Sequence, residues 1–342
     1  MAQGQSPRLG CPEEQSREVD GDHDPPDDSH GQAYSVFSKR EKVLIVCLAS
    51  LAGFFSPFTA FTYFPALRSI ADDFDVSIEL LNITVTVYLL VQGIVPLLLG
   101  DFSENSGRRP AYLLTFSIYC AASVGLALQR NYVALLVLRM VQSAGASGSI
   151  GLAYGVIGDI AAPHERGGYV GYTHIGFNCA PAVGPIIGGV IADRAGWPWI
   201  FVFVAIASGV TLFLLAMFLQ ETARNVVGNG SLPPHGINVS ILQRLQGRRS
   251  KQPDGERKQM AIRVPNIIEP LKLIFFKTTF PTLFSNAVFY MLFASLQATL
   301  APLVQEIYGL SPFQAGLCYL AFGVSCGVAS VSAGTTQHRQ PD

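Results

Sequence analysis

The sequence predicts an all-α membrane protein: a bundle of six spanning helices followed by an incomplete second bundle. Three observations carry this. The 342 residues are 49% hydrophobic and only 14% charged, where soluble domains carry about 25% charged residues. The apolar residues gather into about eight runs of spanning length, roughly 20 residues each. A long polar stretch, about Glu221 to Lys277, separates six of these runs from the last two.

In chain order, residues 1–38 are rich in Asp, Glu, Pro, Gly and His (GDHDPPDDSHGQ). They cannot bury enough apolar surface to fold and read as a disordered tail. The first bundle, 39–220, begins with a span from about Val43 to Ala66, preceded by Lys39, Arg40 and Lys42. The second span, about Leu80 to Leu99, ends in the turn GDFSENSGRRP. The third, about Ala111 to Leu128, starts just after Pro110, at a position that needs no N–H donor. Spans four and five run about Tyr132 to Ile157 and Gly168 to Ile191. Span six runs about Trp197 to Leu219, with Trp197 and Trp199 placed as interfacial aromatics. Residues 221–278 form a basic linker, read as a solvated face near anionic lipid. Residues 279–342 supply two more spans, about Phe280 to Val304 and Pro312 to Ala333.

Cations cluster before span one, at Arg108 and Arg109, at Arg166 and in the linker, whereas the opposite loops are poor in them. The positive-inside rule therefore puts the N-terminus in the cytoplasm. Net charge is −1, which leaves no case for nucleic acid. The Cys residues at 11, 47, 120, 179, 318 and 326 lack metal spacing and read as packing residues. His23 and His30 make no metal cluster. No nucleotide-binding loop, Ser-His-Asp arrangement or metal constellation is present, so neither an enzyme nor a cofactor is expected.

Candidate residues fall in three places. Arg139 lies inside span four, where an ionisable group costs roughly 2.5 kcal/mol or more and faces a cavity or a partner. The alternative is snorkelling to the nearer interface. Gln142 shares its helix face, and Gly145, Gly148, Gly151 and Gly155 follow as a small-residue packing stripe. In span five, Gly184, Pro185, Gly188 and Gly189 permit a kink and a close crossing. At the cytoplasmic end, the turn residues Gly100, Asp101, Glu104, Gly107, Arg108 and Arg109 meet Asp159, His164, Glu165 and Arg166. These read either as a charge network that locks one conformation or as ordinary surface pairing worth about 0–1 kcal/mol. His174 is read as a satisfied polar residue rather than a proton site. Phe54, Phe55, Phe58, Phe61, Tyr63 and Phe64 suit a cavity lining or a lipid-facing surface.

On these motifs the chain resembles the major facilitator superfamily, and within it the fungal drug:proton antiporters of twelve spans. Gly100, Gly107, Arg108 and Arg109 resemble its G-x-x-x-D-x-x-G-R-R turn, with Glu104 for the usual Asp and Asn105 where Arg is common. Arg139, Gln142 and Gly145 resemble its R-x-x-Q-G motif. Gly184, Pro185, Gly188 and Gly189 resemble its antiporter motif, G-P-x-x-G-G, and GDIAAPHERGGYVG looks like the fungal loop between spans four and five. The resemblance covers about Lys39 to Leu320. It implies proton-coupled export of small organic molecules, drugs or toxic metabolites, by alternating access in the plasma membrane. Arg139 and Gln142 would support proton coupling, the span-two turn with Asp159 and Arg166 would gate, and the span-five motif would limit leak. Substrate, protons and the lipid bilayer are the implied partners. Against twelve spans the chain reads as truncated, which leaves a non-transporting fragment or regulatory scaffold as the alternative function.

Overall fold

The computed structural model describes residues 34–232, 236–242 and 279–322, with 234, 276, 277 and 325. Most of the expected tail, much of the linker and the end of the expected eighth span lie outside the described residues. Among those residues, seven helices are long and apolar enough to cross a membrane, against about eight expected. The eighth is represented by a helical stretch over 312–322.

Local chemistry sets the helix ends. Helix α1 (Lys39–Tyr63) opens on a capping box, in which Ser38 Oγ accepts from Glu41 N and the Glu41 carboxylate accepts from Ser38 N. A 3₁₀ turn at Phe64–Ala66, containing Pro65, leads into α2 (Leu67–Phe74). Asp75, at φ 51°, turns the chain in the left-handed region, and Ser77 caps α3 (Ile78–Ser106). Gly107, at φ 111°, lets α4 (Arg108–Leu128) start at once. Asn131 caps α5 (Tyr132–Ile160), and Pro163 begins α6 (Pro163–Arg194). After α7 (Pro198–Phe218) come the single turn α8 (Arg224–Val227) and the long α9 (Thr279–Tyr308).

Helix α5 is the hub: it packs on α3, α4, α1 and α6, while α1 also packs along α6, and α4 along α7. Missing side chains make these approaches possible. A Cβ on Gly145 would lie 2.5 Å from Tyr119 N, in the backbone of α4. The apolar core has two clusters. One, at the Arg108 end of the bundle, gathers Phe55, Phe58, Tyr112, Phe116, Tyr119 and Val156. The other, at the Trp197 end, gathers Phe61, Tyr63, Phe64, Leu67, Leu135 and Phe201. Exposed Phe203, Ile206, Val210 and Phe213 recur at helical spacing along α7 and suit lipid.

Several expectations change here. Phe55, Phe58, Phe61 and Phe64 are buried core residues, neither cavity lining nor lipid surface, because they sit on the face of α1, and in the turn after it, that packs on α5, α6, α7 and α9. Cys47, Cys179 and Cys318 are exposed rather than packed. Trp199 is exposed, but Trp197 is buried against Phe74 and Phe201 with its Nε1 on Asp73. Helix α6 runs unbroken through Pro181 and Pro185.

Candidate transport site

The residues expected to gate gather at one end of the bundle. Gly107 hands the chain to α4 with no side-chain cap of its own. The cap comes from a residue the sequence reading missed, Glu221, just beyond α7. Its carboxylate accepts from Arg108 N at 2.8 Å and Arg109 N at 3.1 Å, and from Thr222 N and Ala223 N at 2.9 Å each. A Cβ on Gly107 would lie 2.9 Å from the Glu221 carboxyl carbon, so only glycine fits beside it. Arg109 returns the favour: its Nε donates to Leu219 O at 2.9 Å and Nη2 to Ala216 O at 2.6 Å, with Nη1 on Ile237 O. The N-terminus of α4 and the C-terminus of α7 thus cap each other with charges of the sign each helix dipole favours. Burial pushes the Glu221 carboxyl above its ordinary range, against the four N–H bonds that pull it down. The signal that could have found Glu221 was an acid directly behind an apolar span.

Arg108 points the other way. Its Nε donates to Asp159 Oδ2 at 2.9 Å and its Nη1 to Ser103 Oγ at 2.6 Å, tying α4 to α5 and α3. Gly155 makes room for the guanidinium. Gly100, Glu104 and Arg108 line a cleft of about 170 Å³ with Pro96, Leu99 and Ser103. Asp101 instead accepts from Asn105 Nδ2 within α3. The predicted network is therefore divided: Arg108 and Asp159 pair, Arg109 holds carbonyls, and Glu165 pairs with Lys42 of α1 at 2.7 Å. Arg166 reaches the Tyr34 hydroxyl and Gly158 O, while Arg224 lies over the Tyr34 ring at 3.8 Å.

Arg139 sits in the middle of the bundle and is 1% exposed, which removes the snorkelling alternative. Its guanidinium carbon lies 4.2 Å from the Tyr63 ring centroid and 4.3 Å from that of Tyr88. Its Nη1 donates to Gln142 Oε1 at 2.9 Å, and Gln142 Nε2 passes the chain on to Ser123 Oγ at 3.0 Å. Two ring faces and one amide hold the cation where a carboxylate is the usual partner. The sequence linked Arg139 to Gln142 by spacing; Tyr63 and Tyr88 needed the folding of α1 and α3 onto α5.

The span-five motif is a contact surface. Gly184 faces α1, where an added Cβ would lie 3.0 Å from Phe61 Cβ, and Gly188 abuts the Thr62 backbone. Gly189 abuts Pro312, with 2.5 Å to its carbonyl oxygen, so the motif touches both α1 and the start of the helical stretch over 312–322. Gln305 Nε2 adds a bond to Pro65 O at 2.9 Å.

This bundle, with a buried basic residue at its centre and a reciprocal cap at one end, has the fold of a membrane transporter. Residues 49–341 match the model of the Major Facilitator Superfamily, and the chain belongs to that family, whose members are transporters rather than enzymes. Over 304 residues it is 42% identical to the MFS-type transporter phiD of a fungal species, covering 87% of this chain and 46% of that protein. It is 33% identical to citrate exporter 1 of Aspergillus niger, covering 94% of this chain and 61% of the relative. The chain thus spans about half the length of phiD and about three fifths of the citrate exporter. The crystal structure of a D-xylose–proton symporter matches the fold with a TM-score of 0.56 at 14% identity, over 86% of this chain and 69% of that one.

Proposed function

We propose that this chain forms the N-terminal six-helix half, with the start of the second half, of a proton-coupled exporter of small organic molecules. It exchanges substrate against protons by alternating access between two bundles. The buried Arg139 carries the reading. A cation so deep in a spanning bundle, held by Tyr63, Tyr88 and Gln142, responds strongly to any change in neighbouring charge or packing. Arg139 and Gln142 are the proton-coupling pair in this reading. Arg108, Asp159 and the Gly100–Arg109 turn, with Arg166, form the gate, and Gly184, Pro185, Gly188 and Gly189 hold α6 tightly against its neighbours to limit leak. The export function named for the Aspergillus niger relative supports the direction of transport. The cationic Arg108 end supports a cytoplasmic N-terminus, and the plasma membrane is the proposed location.

The test is efflux by the full-length transporter in proteoliposomes, driven by an imposed pH gradient. Arg139→Gln is expected to reduce proton-linked efflux at least about tenfold, equivalent to about 1.4 kcal/mol, with protein abundance unchanged. Efflux that continues at the native rate would sink the role of Arg139.

A further inference from the structure

Away from their ends, the spanning helices of the described residues carry two nitrogen bases, Arg139 and His174, and no Asp or Glu. Arg139 is closed off. His174 is exposed. It lies roughly 9 Å, at 1.5 Å per residue, beyond Gly168, where the apolar part of α6 begins after Glu165 and Arg166. Its Nε2 is 3.0 Å from the hydroxyl of Tyr154 on α5, and Tyr154 is itself 36% exposed. Phe177 packs edge-on against both rings, 6.2 Å from Tyr154 and 6.3 Å from His174. Hydrocarbon offers no partner to an exposed imidazole and hydroxyl, so this face turns toward water or protein. Gly158, one turn beyond Tyr154, and Gly171, one turn before His174, have nothing within 4 Å of an added Cβ, whereas Gly151 lines the Arg108 cleft. Gly158 and Gly171 leave an open shelf around the pair.

We propose that Tyr154 and His174 bind the carboxylate of an organic anion whose apolar body lies on this shelf. When His174 is neutral and its Nε2 accepts from the Tyr154 O–H, Nδ1–H is the one donor the pair presents outward. When it takes a proton, both ring nitrogens donate. The Tyr154 oxygen then accepts from Nε2, and its O–H turns outward with Nδ1–H to meet an oxyanion. The protonated pair is therefore the form that holds the anion, with two outward donors and a positive charge. The titratable groups nearest in the chain or on the packed elements include Tyr154 on α5, Cys47 and the Glu165-paired Lys42 on α1, and Tyr169, Tyr172 and Cys179 on α6 itself. The carboxylates of these helices, Glu41, Asp159, Glu165 and Asp193, stand near the helix ends.

This deepens the exporter reading and is tested separately from it. The 342-residue chain, in lipid nanodiscs with ¹⁵N-labelled imidazoles, is titrated with benzoate, benzamide and benzyltrimethylammonium, one ring bearing three different charges. Benzoate is expected to bind at least about tenfold more tightly than the other two and to shift the signals that His174→Gln removes. Its binding is lost in His174→Gln and weakened several-fold in Tyr154→Phe. Equal binding of the three probes, or benzoate binding unchanged in His174→Gln, overturns the proposal. If the full-length His174→Gln protein still exports an uncharged compound, the exporter reading stands without this site. If benzoate binds here while the full-length protein moves nothing, the site stands without the exporter.

Discussion

At the scale of the residue, the most informative position is one that composition alone passes over. Glu221 accepts four backbone N–H groups while largely buried. Glu221→Ala strands those donors and is expected to destabilise the bundle by about 1–3 kcal/mol, read as a lower melting temperature in detergent. The pH dependence has a definite sign. The folded carboxyl titrates above its ordinary 4.5, so the folded state holds this proton to higher pH than the unfolded chain. Its contribution to stability is complete below 4.5 and is lost as pH rises through the raised value. Glu221→Gln removes that titration, and melting measured across the same interval is expected to lose that part of its slope. An unchanged slope would mean that another group sets it.

At the scale of the element, glycine decides which helices touch. Gly145 lets α5 meet the backbone of α4, and Gly188 lets α6 meet that of α1. In both cases the obstacle is main chain, which cannot rotate aside. Gly145→Leu and Gly188→Val are each expected to cost at least about 1–3 kcal/mol and to lower the yield of monodisperse protein. Gly151→Ala, at a position with open space around it, is expected to leave stability within about 0.5 kcal/mol. Should all three melt alike, close helix approach is not what these glycines serve. The small-residue stripes were legible in the sequence as stripes. Which member of each is in contact was not, because that depends on the rotation of one helix against its neighbour.

At the scale of the whole molecule, Arg108–Asp159 is the lateral tie, joining α4 to α5 beside the reciprocal cap between α4 and α7. A double-mutant cycle of Arg108→Ala and Asp159→Ala is expected to give a coupling of about 1–3 kcal/mol, since the pair is largely buried and hydrogen-bonded. A coupling near zero would reduce it to ordinary surface pairing. The sequence by itself determined the class of this protein, its succession of spans and turns, and the residues of its motifs. Spanning length, loop charge and helix punctuation are local properties that each segment carries alone. Only the tertiary structure decided what those residues hold. Arg139 rests between Tyr63 of α1 and Tyr88 of α3, Arg109 caps α7 while Glu221 caps α4, and His174 meets Tyr154 across two helices. Each of these contacts joins groups far apart in the chain. Their meeting is set by how the helices pack and rotate against one another, and no window of sequence contains that geometry.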